Sequence, residues 1–236
     1  NLQPVWVTED GLSKKAEVFI KTIIEADHEG LDSSTYHRDK ILALNTNVEF
    51  NSLLDGFEPA KRAELELLLT DAFFSYGFHL SEGMVEPNPT DFDWHIKKPK
   101  KNLLKTLQTL LQNEKLEDLV DLFQPHHSGY LRLKSALLKY QKIKNSGGWH
   151  IVPSGPKLNM ERWRWLPQDL GKRYLMVNTA NFELDIIENG QSVTSTRAIV
   201  GKKKRPTPAL SQKITYMELN PYWNIPHKIA INDILP

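Results

Sequence analysis

The hydrophobic period of this chain changes about two-thirds of the way along. Up to Tyr140 the apolar residues recur three and four apart, the spacing that sets them on one face of an α-helix. Beyond Tyr174 they alternate with polar residues, which is the period of a strand. Such a chain must bury helix faces in one part and build a sheet in another. It reads as α+β: an all-α module followed by the start of an antiparallel β module.

Five helices are expected in the first part. Leu12, Ala16, Phe19, Ile20, Ile23 and Ile24 form the stripe of the first; Gly30 stops it and Leu31-Asp32-Ser33 restarts the chain. Pro59 suits the first turn of the second, which runs to Leu80 with Leu65, Leu68, Leu69, Ala72, Phe73 and Tyr76 on one face. Leu103, Leu104, Leu107, Leu110 and Leu111 predict the third. Leu116, Leu119, Val120 and Phe123 predict a short fourth, ended by Pro125. Leu131, Leu133, Ala136, Leu137 and Tyr140 predict the fifth, ended by Gly147-Gly148. In the second part, strands are expected at Tyr174 to Val177, Phe182 to Ile187, Val193 to Ile199 and Lys213 to Leu219. Asn189-Gly190 supplies a tight hairpin turn, since both positions accept positive φ.

Composition excludes several classes of function. The 236 residues carry a net charge of +1, which gives no long-range pull on nucleic acid. There is no cysteine, hence no disulfide framework and no cysteine metal site. No apolar run is long enough to span a bilayer.

Motifs narrow the reading further. The helical part contains Arg62-Ala63-Glu64-Leu65-Glu66-Leu67-Leu68-Leu69-Thr70-Asp71-Ala72, followed by Tyr76, Leu80 and Gly83. It also contains Pro125, Tyr130, Leu131, Gly147-Gly148-Trp149 and Gly155-Pro156-Lys157-Leu158. The later part opens on Met160-Glu161-Arg162-Trp163-Arg164-Trp165-Leu166-Pro167. It carries Val200-Gly201, Arg205, Thr207-Pro208, Asn220-Pro221-Tyr222-Trp223-Asn224-Ile225-Pro226 and Ile234-Leu235-Pro236. Together these strings resemble a large L,D-transpeptidase of the YcbB/YkuD family, over its scaffold domain and the N-terminal part of its catalytic domain.

The resemblance implies a division into a helical scaffold over residues 1–158 and the start of the catalytic domain over 159–236. It implies a periplasmic enzyme of a Gram-negative bacterium, anchored at or peripheral to the membrane outside this segment. Its partners would be peptidoglycan stem peptides and glycan, and no cofactor is needed. It also implies that a peptidoglycan-binding module is missing at Leu158/Asn159, and that the Ser-His-Gly-Cys motif and its partner His lie after Pro236. No catalytic residue is therefore assigned within the chain. If these residues are the entire polypeptide, a β module cut short in this way is expected to be paired with another chain or mobile, because unpaired N–H and C=O groups are costly to bury.

Tyr222, Trp223 and Asn224 are the candidate substrate-binding residues, stiffened on either side by Pro221 and Pro226. Their aromatic faces suit a sugar or a stem peptide, and the Asn amide suits a peptide bond. The competing and favoured reading places Trp223 in the domain core and Asn224 in a turn. Trp163 and Trp165 read as a strap between the modules rather than a carbohydrate surface, and Trp94 and Trp149 as core or interdomain anchors. Lys202-Lys203-Lys204-Arg205 reads as a solvated hairpin tip before an acid-binding patch. Glu64, Glu66 and Asp71 read as a hydrated helix face, and His126-His127 as loop residues rather than metal ligands. A glycan hydrolase is disfavoured, since no Glu stands alone in an apolar setting that would raise its pKa. Two readings remain: a transpeptidase whose reactive cysteine lies outside the sequence, or a non-catalytic cell-wall binding or scaffold protein.

Overall fold

The computed structural model describes residues 4–8, 11–51, 59–87, 94–112 and 120–235. A short hairpin opens the fold, with β1 (Val7–Thr8) antiparallel to β2 (Gly11–Leu12). Leu12 therefore belongs to a strand and not to the first helix: Ser13 follows it, and its side chain accepts from Ala16 N to cap α1 (Lys14–Ile24). The apolar spacing then works as expected, burying Ala16, Phe19, Ile20 and Ile23. Gly30, at φ 74°, ends the following 3₁₀ turn, Ala26–Glu29.

Helix α2 (Arg38–Asn51) was not expected from the pattern. Ile41, Leu42 and Leu44 fall too close together to mark a stripe. Helix α3 (Pro59–Glu82) is the central element, burying Leu65, Leu69, Ala72, Phe73, Tyr76 and Leu80. Around it the aromatic rings of Trp6, Phe19, Tyr36, Phe73, Tyr76 and Phe123 meet edge to face or stacked, at 5.3–6.3 Å between centroids. Gly77 lets Phe123 in, since a Cβ there would stand 2.9 Å from its ring. Glu66 is not a merely hydrated residue of α3. Its carboxylate accepts from the backbone N–H of Val5 (2.6 Å), Trp6 (2.9 Å) and Val7 (3.0 Å), seating Trp6 in the core. Glu64 and Asp71 pair outward, with Lys40 and His37.

Helices α4 (Leu103–Gln112) and α5 (Ser128–Asn145) form where expected, but not every stripe residue faces in: α4 buries Leu107 and exposes Leu104, and α5 buries Leu137 with Tyr130 while Leu131 is exposed. The short helix expected at Leu116 to Phe123 lies mostly outside the described residues; 120–123 form a turn. The segment expected to be a strap is instead helix α6 (Ser154–Arg164), which runs unbroken through Leu158 and Asn159. Helical geometry splays its two tryptophans onto different partners. Trp163 packs over Gly129 and the His127 ring, where a Cβ on Gly129 would come within 2.2 Å of the indole. Trp165 is buried edge to face against Trp94, at 5.3 Å. Trp149 is no core anchor: it stacks on Tyr140 and stays half exposed.

The β module contains three antiparallel strands in sequence order, β3 (Arg173–Asn178), β4 (Glu183–Glu188) and β5 (Gln191–Arg197). Asn189 (φ 49°) and Gly190 (φ 79°) make the expected turn. Ile186 faces Thr194 and Ile187 faces Ser192, so Val193 is the extra residue of a β-bulge. The register places Leu175, Val177, Leu184 and Ile186 on one face. Lys213 to Leu219 is not a strand. Among the described residues no neighbour forms a ladder with it, and Ile214, Tyr216, Met217 and Leu219 are exposed. The chain closes with the short turns His227–Ile229 and Ala230–Ile234. Among the described residues after Trp165, none is buried.

Candidate functional site

The two modules touch through a few named bonds. His95 N donates to Ala209 O (2.8 Å), with Trp94 bridged to Ala209 in parallel. Gln168 Nε2 donates to Phe123 O (3.2 Å), and the His127 ring bonds Pro167 O through Nε2 (2.9 Å). His127 thus lies in a loop as expected. Burial lowers its pKa from the usual imidazole range, opposed by the Pro167 carbonyl.

Tyr222, Trp223 and Asn224 follow the run Lys213 to Leu219. Tyr222 is 92 % and Trp223 80 % exposed, so Trp223 plugs no core. Asn224 N donates to Tyr222 O (3.1 Å), and Asn220 sits at φ 52° just before them. The three residues stand together on an open surface segment. What such a segment offers is an aromatic face and an amide, without the enclosure that shifts pKa values or excludes water. The basic tip behaves as expected: Arg205 N donates to Lys202 O (2.8 Å), closing a turn with exposed side chains. Gly201 is required there, because a Cβ would lie 2.2 Å from Arg205 O.

Charged groups do converge elsewhere, around Arg164, which is 1 % exposed. Its guanidinium donates to Glu161 Oε2 (3.0 Å), to the Glu29 carbonyl and to Tyr130 Oη (3.2 Å), and lies over the Tyr130 ring. Tyr130 Oη donates to Glu29 Oε2 (2.8 Å), and Lys134 pairs with the other Glu29 oxygen. Glu161 Oε1 also accepts from Val85 N (2.9 Å) and Trp165 Nε1 (3.2 Å). Burial raises the pKa of Tyr36, Tyr76 and Tyr130, keeping them protonated. The Arg164 guanidinium is buried, and its partners lie on α5, α6 and the 3₁₀ turn. The cluster is a clamp between elements. Sequence reasoning missed it because Glu29 and Arg164 are 135 positions apart and nothing local marks either residue.

Among the described residues no group of three His, Asp or Glu side chains is arranged to hold a metal ion. His37 Nε2 lies 2.7 Å from Asp71 Oδ2 at the surface. No helix among the described residues is long and apolar enough to cross a membrane.

Comparison with known proteins assigns both modules. Residues 1–137 match the family described as the scaffold domain, and residues 172–236 match the L,D-transpeptidase catalytic domain. The chain is also similar to a Haemophilus influenzae protein that carries an L,D-transpeptidase assignment. The two are 20 % identical over 174 residues, covering 72 % of this chain and 35 % of that protein. This chain thus spans about a third of the length of its relative.

Proposed function

The chain belongs to the large L,D-transpeptidase family, and on that premise we propose that it is the helical support and the opening sheet of a periplasmic enzyme that cross-links peptidoglycan. The single observation behind this reading is the presence, on one chain and in this order, of the scaffold and catalytic-domain matches. The helical unit, which α6 extends through Asn159 to Arg164, carries and orients the catalytic unit that follows it.

The reaction is acyl transfer. A cysteine thiolate attacks the carbonyl of the third residue of a tetrapeptide stem. A C–S bond forms, the C–N bond to the terminal D-Ala breaks, and D-Ala leaves as the amine. An amine of a neighbouring stem then attacks the thioester, forming the cross-link amide and returning the thiol. Backbone N–H groups stabilise the oxyanion in both steps. None of the 236 residues is cysteine, so the nucleophile belongs to sequence outside them. Within them, Tyr222 and Trp223 contact the glycan or stem, and Asn224 bonds a stem amide.

A second reading, a cell-wall binding protein that kept the fold without the nucleophile, is favoured by the absence of cysteine. Intact-mass measurement of the natural polypeptide after exposure to a carbapenem separates the two. A covalent adduct on a cysteine is the expected result. An unchanged mass, with no thiol encoded after Pro236, would establish the non-catalytic reading. The 236-residue chain itself is expected to form no adduct.

A further inference from the structure

Charge is unevenly distributed along this chain. It carries 30 Lys and Arg against 29 Asp and Glu; six of the cations and none of the anions lie between Asp121 and Glu161, so the remainder is net negative by five. At the chain's overall frequency of acids, about five would fall in that stretch. In the fold the stretch is α5, the loop after it and α6. Lys134 is engaged by Glu29, whereas Arg132, Lys139, Lys142, Lys144 and Lys157 are exposed. Arg132 and Lys139 stand seven residues apart and so lie on one outward line of the helix, across from the buried Tyr130 and Leu137. Besides Glu29, acids come near this stretch at Asp27, whose carbonyl accepts from Gln141 Nε2, and at Asp32, beside Lys157. Lys139 and Lys142 also line an open groove of about 530 Å³ with His28.

The same end of the molecule exposes apolar side chains. Trp149 stacks on Tyr140 (5.3 Å) and is 43 % exposed, Ile151 is 79 % exposed and Leu158 51 %. Trp149, with the exposed Ile151 two residues on and the exposed Lys139, Lys142 and Lys144, whose stems are themselves apolar, on the last turns of α5, matches the boundary between headgroups and acyl chains. A sugar would use the aromatic platform but would leave Ile151 and Leu158 without a partner. Most of this surface, residues 138–171, falls between the two family matches. We propose that the end of the helical module formed by α5, its following loop and α6 docks on an anionic phospholipid surface, with Trp149, Ile151 and Leu158 entering the interface and the lysines pairing with headgroup phosphates.

Such docking is independent of acyl transfer by the β module. Co-sedimentation of the 236-residue chain with vesicles tests it. Binding is expected to vesicles containing phosphatidylglycerol and not to pure phosphatidylcholine, and to be released by salt. The triple substitution Lys139→Gln, Lys142→Gln, Lys144→Gln changes only exposed side chains and should weaken binding about fivefold per lysine, roughly a hundredfold together. Trp149→Ala should weaken it by roughly tenfold. The same triple exchange at Lys202, Lys203 and Lys204, a control basic tip, should leave it unchanged, with circular dichroism confirming the fold of each variant. Equal binding to both vesicle types, loss with the control triple alone, or retention only on lipid-free peptidoglycan sacculi would overturn the proposal.

Discussion

The helical and β modules are built from similar residues and end with opposite interiors. Around α3, aromatic and aliphatic side chains contributed from Trp6 to Met160 are withdrawn from water in one core. In the β module Leu175, Val177 and Val193 remain about half exposed, and Tyr216, Trp223 and Ile199 stand in solvent. The strands of the β module satisfy their mutual hydrogen bonds, so the contrast does not lie in local structure. It lies in the second layer: a helix stripe at α3 finds other helices to cover it, and the Leu175–Ile186 face finds nothing among the described residues. Formed secondary structure without a covering layer lacks the hydrophobic term that dominates stability.

Hydrogen exchange should show this contrast most strongly. Amides of α3 are expected to exchange only through global opening, and those from Tyr174 to Leu219 through local opening, a gap of roughly 5 kcal/mol or more. Slow, well-protected amides across Tyr174 to Leu219 in a monomer would break the comparison. Next in size is Arg164→Ala, which leaves the Glu161 carboxylate without its cationic partner and the Glu29 carbonyl without its donor in the interior. It should cost about 3–5 kcal/mol, read as a lower urea midpoint; an unmoved midpoint would show that the clamp contributes nothing. A matched pair of aromatic truncations sharpens the comparison. Phe73→Ala, in the core, should cost about 3–5 kcal/mol, whereas Trp223→Ala should lie within about 0.5 kcal/mol of the parent. Comparable losses from the two would mean that Trp223 is covered after all.

The smallest expected effect is on pH dependence. Burial lowers the pKa of His79 and His127 in the folded protein from the usual 6.5. The unfolded chain therefore binds protons more readily than the folded one, and stability falls as pH drops through about 6.5 towards the folded values. His127→Asn should flatten that part of the stability profile in the helical module. A profile equally steep in the variant would remove His127 from the account.

Much of this architecture was legible before folding. Ala16, Phe19, Ile20 and Ile23 announce α1, and Asn189-Gly190 announces the β4–β5 hairpin, because both signals are local and periodic. Helix α2 escaped because its apolar residues make no stripe. Around Trp163 and Trp165 the alternation of Trp and Arg suits an extended strap as well as it does a helix. Only packing on Gly129 and Trp94 decided between them. At the candidate site, the grouping of Tyr222, Trp223 and Asn224 could be read from two flanking prolines. Their exposure could not, since burial depends on what other elements come to cover them.

The linear order of residues determined the main helices, the β4–β5 turn and the family to which the chain belongs, since propensity, period and motif all act over a few neighbouring positions. Tertiary structure alone decided that Glu66 would hold the N-terminal strand and that Arg164 would lock against Glu29 and Tyr130. It also left the Leu175–Ile186 face of the sheet without a covering layer among the described residues. Those outcomes join groups up to 135 positions apart. Their energies come from desolvation and pairing, which exist only once distant segments have met.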